Sequence, residues 1–152
     1  MKRRHLVCML AAVCLATSTA EARIAENKAV DAADARIITD TCVALAAKSG
    51  WKVHVAVLNQ YGDLARFVGM DGATRTSGVL ALEKARTVFR TGRSTADVAK
   101  MDPSAQRAFD AVAIAGGVPV VVEGKMVGVV ASSGAAPDQD VACAQAGIEA
   151  AM

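Results

Sequence analysis

Aromatic residues are scarce in this chain: one Trp, one Tyr and three Phe among 152 residues. No stretch interleaves aromatics with basic residues, so a base-stacking nucleic-acid surface is not expected. Histidine is scarcer still. Of the two, His5 lies in the first 22 residues, leaving His54 alone in the rest of the chain. One histidine excludes multi-histidine zinc sites and the common histidine-bearing nucleophile triads. Walker and Rossmann glycine spacings are also absent. What the chain does have is a hydrophobic content of 53% against 21% charged residues, the composition of a folded domain.

The first 22 residues are set apart from the fold. Lys2, Arg3 and Arg4 precede an apolar run from Leu6 to Ala16, too short for a bilayer span, and Ala20-Glu21-Ala22 supplies small residues around a cleavage point. Residues 1–22 therefore read as a signal peptide, and 23–152 as one domain of a secreted or periplasmic protein with no membrane span. Beyond residue 22 acidic and basic residues are equal in number, so no general attraction to nucleic acid follows. A local excess of cations remains between Arg75 and Arg107, including Lys84, Arg86 and Arg90. It reads either as a solvated helix face or as a site for an anionic ligand. Cys8 and Cys14 fall within the leader. Cys42 and Cys143 remain, near opposite ends of the domain, and in an oxidising compartment they are expected to pair; the alternative is two buried thiols.

Apolar spacings of three and four predict a helix over residues 26–49, stopped by Gly50. Val53, Val55 and Val57 alternate with Lys52, His54, Ala56 and Leu58, which predicts a strand over 51–58 and a hairpin returning over 64–68. Ser77 is read as the cap of a helix running to about Thr91. Short helices follow from Ser94 or Thr95 and from Asp102-Pro103, the second to about Val112. Two strands over 119–122 and 126–131 flank a turn at Gly124-Lys125, and a last helix runs from Asp138 to about Ala150. Hairpin-joined strands with helices packed on them define an α+β layered domain around a central antiparallel sheet.

Candidate site residues come from turns and isolated polar groups. Asp71-Gly72 and Gly116-Gly117 are expected to border a ligand pocket, with Lys84 or Arg86 nearby, because glycines allow close backbone approach and exposed amides hold carboxylates. His54 is a candidate iron ligand, since neutral imidazole donates well to iron; the favoured reading is a strand histidine that is satisfied by a hydrogen bond or faces solvent. Met70, Met101, Met126 and Tyr61 are weaker candidates. Ser132 and Ser133 read as turn residues, with no general base near them in sequence.

The ordered series resembles the GlcG/HbpS family of small haem-binding proteins, and the C-terminal domain of PduO-type proteins. The matching stretches are Val53 to Leu64, Met70-Asp71-Gly72-Ala73, Ser77, Glu83-Lys84-Ala85-Arg86-Thr87, Gly116 to Val120, Val127 to Ala135, Asp140 and Ala142. The chain departs from the family's usual pattern at Gly69, where arginine is usual, and at Asn59, where aspartate is usual. The resemblance implies an antiparallel sheet with surrounding helices, homo-oligomers, and haem as cofactor in a role of haem handling or redox sensing. It names no iron ligand. A binding protein for haem or another tetrapyrrole is thus the first expectation. A small periplasmic enzyme or accessory protein for an anionic metabolite, using Lys84 and the Gly116-Gly117 turn, is the alternative.

Overall fold

Asp31 is where the domain's first long helix begins. Its side chain accepts the Asp34 N–H at 2.8 Å while the Asp34 carboxylate accepts the Asp31 N–H at 3.0 Å, a reciprocal cap. The computed structural model describes residues 23–152; the leader expected over residues 1–22 lies outside the described residues. The single helix expected over 26–49 is in fact two, α1 (Arg23–Asn27) and α2 (Ala32–Lys48). Lys28 turns the chain with φ 52 between them. Apolar spacing runs through this break, because Val30 is buried as a helix residue would be. It reaches that position differently, by donating its N–H to the Val127 carbonyl and packing over Gly128.

The remaining order is β1 (His54–Asn59), β2 (Leu64–Gly69), α3 (Arg75–Thr91), α4 (Thr95–Val98), α5 (Pro103–Ala108), β3 (Gly117–Val122), β4 (Lys125–Ser133) and α6 (Pro137–Ala151). The sheet runs β2-β1-β4-β3, all antiparallel, so β1 and β4 are central and the two hairpins sit side by side. Several boundaries differ from expectation for local reasons. Thr74, not Ser77, caps α3; its hydroxyl accepts the Ser77 N–H, and Ser77 is the third helical residue. The second short helix ends at Ala108 rather than Val112, because Asp110 takes φ 46 and Arg90 captures the carbonyls of Phe109 and Asp110. The β3–β4 turn is Glu123-Gly124, both at positive φ, so Lys125 already belongs to the strand.

Helices cover both faces of the sheet. Val53, Val55, Val57 and Val130 face α2 and α6, with Ile38, Cys42, Ala46, Cys143 and Ala144. Ala56, Leu58, Val129 and Ala131 face α3, against Ala81, Ala85 and Val88. Small residues let α2 and α6 approach closely: a side chain at Gly147 would meet the Ile38 carbonyl at 2.6 Å. Cys42 and Cys143 are joined there as a buried disulfide, with Cα atoms 4.7 Å apart, tying the two helices together. Among the described residues no helix is long and apolar enough to cross a membrane.

Candidate functional site

The buried face of α3 carries Ser77, Ala81, Lys84, Ala85 and Val88, so helical periodicity drives a lysine into the protein. Lys84 is 1% exposed. Its Nζ donates to Asp140 Oδ2 and to the Ser132 carbonyl, each at 3.0 Å. Asp140 lies in the first turn of α6, and its Oδ1 accepts the Ala135 N–H at 3.2 Å and the Ser132 hydroxyl at 3.4 Å. A buried ion pair tolerates desolvation only when its remaining hydrogen-bonding groups are met in this way. Gly116, the residue before β3, closes the arrangement. With φ 130, and with any Cβ 2.5 Å from the Ser132 carbonyl and 2.7 Å from Lys84 Nζ, this position admits glycine alone.

Above the ion pair opens a cleft of about 230 Å³, lined by Thr74, Thr76, Ser77 and Leu80 of the α3 start, Lys84, Ile114, Ser133 to Ala135, Pro137 and Asp140. The N-terminal ends of α3 and α6 both reach it. The α3 end has no acidic residue in its first turn and begins with Arg75.

His54 stands beside this cleft, opposite Ser133 on β4 and Gly69 on β2. Its Nδ1 lies 2.8 Å from Ser77 Oγ, and Phe67 stacks on the ring with centroids 5.6 Å apart. Ser77 donates its one hydroxyl proton to the Thr74 carbonyl at 2.7 Å, an acceptor that cannot reciprocate. The network therefore assigns the proton of the His54 contact to Nδ1, so that in the neutral imidazole the lone pair is on Nε2. The Cδ2–Nε2 edge faces two residues without side chains. A Cβ at Gly69 would sit 2.6 Å from it, and one at Gly78 3.3 Å. Glycine at position 69, where the sequence departs from the resembled pattern, is thus what makes room for this imidazole.

Of the expected residues, Lys84 lines the cleft, Gly116 lies against the Lys84 ammonium group, and His54 is joined to the cleft residue Ser77. The structure sets the other candidates apart. Arg86 is exposed on the outer side of α3 and pairs with Glu83 at 2.5 Å. Gly117 lies behind the ion pair, its N–H donated to Thr95 Oγ1 at 2.9 Å and its Cα packed against Val88. Asp71 and Gly72 form an exposed turn beside the Lys52 side chain and do not line the cleft. Met70 and Met126 pack against the two cores, and Tyr61 is 74% exposed in the first hairpin turn. Asp140 carries no expected role beyond its place in the resembled series, and Ser132 and Ser133, expected in a turn, are the last residues of β4. Ser133 lay within reach of strand alternation: once β1 and β4 are paired, it shares a face with His54. The partnership of Asp140 with Lys84, 56 residues away, has no local signal.

An antiparallel sheet held between helices, with a cleft at its end floored by an ion pair, defines a small α+β layered domain. Residues 30–149 match the family described as "Haem degrading protein HbpS-like", and the chain belongs to that family. It is 34% identical to protein GlcG of Escherichia coli (strain K12) over 92 residues, which cover 58% of this chain and 69% of that protein. Among solved structures it is similar to HbpS, with a TM-score of 0.72 and 30% identity over 78% of this chain and 86% of that one. The PduOC:haem complex shares the fold, with a TM-score of 0.71 and 24% identity over 78% of this chain and 91% of that one.

Proposed function

We propose that this protein is exported and binds haem or a related tetrapyrrole, in haem handling or redox sensing, as a homo-oligomer. The observation that carries the reading is membership of a family described by haem chemistry. His54 fits it. Neutral imidazole ligates through an unprotonated nitrogen, and an Nδ1–H held by a neighbouring oxygen leaves Nε2 in that state. Bound haem iron would supply the redox-active centre; the chain's own part is to hold the ring of His54 through Ser77 and Phe67. The cleft alone lies below the roughly 300–1,000 Å³ typical of small-molecule pockets, so a macrocycle would rest on the open surface beside it. Phe67, 39% exposed, and Leu64, 52% exposed, offer apolar contact on the same side of β2. A second copy covering that surface would complete the enclosure, which is the support for an oligomer. Export is supported by the leader-like residues 1–22 and by the disulfide, a bond favoured in oxidising compartments.

Titration of the purified protein with haemin tests the reading. A saturable Soret shift is expected, with a low-spin imidazole-type spectrum that is lost in a folded His54→Ala variant. The absence of saturable binding would overturn the function. An unchanged spectrum in the variant would remove His54 as the ligand.

A further inference from the structure

We propose that the cleft between α3 and α6 is a subsite for the carboxylate of a small aliphatic acid, with Ser133 Oγ and Lys84 Nζ as its side-chain donors. The proposal starts from Ser133. It is the last residue of β4, 3% exposed, and lines the cleft. Its hydroxyl has no hydrogen-bond partner among the described residues, in contrast to its neighbour Ser132, which is bonded to Asp140. Among the described residues no fully buried side-chain N or O atom lacks a partner, so the unpaired Ser133 Oγ is one that the cleft leaves open to water. A hydroxyl left open toward a cavity is therefore placed for a ligand.

Lys84 gives the second donor. An ammonium group carries three N–H bonds. Two are spent on Asp140 and the Ser132 carbonyl, and one remains on a residue that forms the cleft's floor. The nearby carboxylate does not oppose an anion, because Asp140 Oδ2 faces Lys84 and Oδ1 is taken by the Ala135 N–H and Ser132. The ion pair is neutral as a whole. The remaining field comes from the N-terminal end of α3, equivalent to about half a positive charge and with no acidic residue in its first turn, whereas Asp138 offsets the α6 end. That polarity selects an anion over a cation.

The rest of the wall selects the kind of anion. Leu80, Ile114, Ala135 and Pro137 are apolar. A phosphate would turn unpaired oxygens against them, whereas a carboxylate can direct its two oxygens to Ser133 and Lys84 and lay a short alkyl chain on these residues. A volume of about 230 Å³ limits that chain to a few carbons. A free short-chain acid and a propionate arm of a larger ligand share this chemistry. The subsite does not depend on the haem reading.

The test uses the disulfide-bonded protein and titrates acetate, propionate and butyrate at constant ionic strength, following backbone amide shifts, with propionamide as the uncharged control. Saturable shifts are expected at Thr76, Gly134 and Ala135, with propionamide at least tenfold weaker. Ser133→Ala should weaken propionate about tenfold, the effect of one charge-assisted hydrogen bond. The same variant should leave thermal stability of the free protein unchanged or raised, because it removes an unpartnered hydroxyl; a structural serine would do the reverse. Ile114→Trp, at a position 46% exposed, should block the mouth without disturbing the core. Competition between propionate and haemin would assign the subsite to a tetrapyrrole arm, and independent binding to a free acid; both support it. No saturable shift with any of the three acids, an equal response to propionamide, or unchanged affinity in Ser133→Ala would overturn it. Failure of haemin to bind would leave the propionate result standing.

Discussion

Replacing Asp140 with alanine leaves the Lys84 ammonium buried without its carboxylate, and loss of one partner of a buried pair costs roughly 3–5 kcal/mol. Urea denaturation of Asp140→Ala should show a loss of this size. The double variant Lys84→Met with Asp140→Asn should recover most of it, since no charge is then buried and asparagine still accepts the Ala135 N–H. At Gly69, alanine is compatible with the backbone but would press on the His54 ring at 2.6 Å. Gly69→Ala should cost about 1–3 kcal/mol by overpacking. It should also displace the imidazole from Ser77, a change visible in the histidine nitrogen shifts. These residues were unequally legible in the sequence. The buried position of Lys84 follows from its spacing with Ser77, Ala81 and Val88, yet its partner lies on a different helix. His54 stands out as the single histidine after residue 22, but its tautomer is set by Ser77 and its slot by Gly69 and Gly78, three residues brought to it from β2 and α3.

Caps and cross-links decide behaviour at the scale of the elements. The disulfide between α2 and α6 closes a loop spanning 101 positions of the chain, for which the chain-entropy model gives about 4–5 kcal/mol. Cys42→Ala with Cys143→Ala should therefore lower the unfolding free energy by up to that amount, measured by urea denaturation. Asp31→Ala removes the reciprocal cap of α2 and should cost about 1 kcal/mol. Acid acts on the short helices. The Asp97 carboxyl is held below its ordinary value of 3.8 first by the Ser94 hydroxyl and then by Lys100. That of Asp102 is held down by the Ser104 hydroxyl and then its N–H. A depressed folded value means stabilisation that is present above the ordinary value and lost as pH falls through the folded one. Amide exchange in α4 and α5 should consequently quicken below about pH 3.8 before the sheet responds. Both carboxyls are solvent-exposed, so the change should stay local. Helix existence was legible from apolar spacing, while helix ends were not: the 26–49 pattern hid the Asp31 cap, and Thr74 preempted Ser77.

For the whole molecule, export is the feature with the most direct check. Cleavage after Ala22 is expected, leaving Arg23 first, and N-terminal sequencing of the exported protein that returned Met1 would contradict it. The amino-acid sequence by itself determined the class of this protein. Alternation in β1 and the glycine turns prescribe antiparallel hairpins, helical spacing supplies the covering layers, and the ordered series of motifs carries the family. Those are local signals, readable because strand and helix periods of two and 3.6 residues are written along the chain. Only the tertiary structure decided which of the marked residues meet. Sheet order sets Ser133 beside His54, and the packing of α3 and α6 on opposite faces of the sheet lets Lys84 meet Asp140, 56 positions away, beside Ser132 of β4. The same packing sends Arg86 outward, to the side of α3 away from the sheet. Burial forces those pairings, because a charge or hydroxyl removed from water must find its partner among whatever residues the fold brings within about 3 Å.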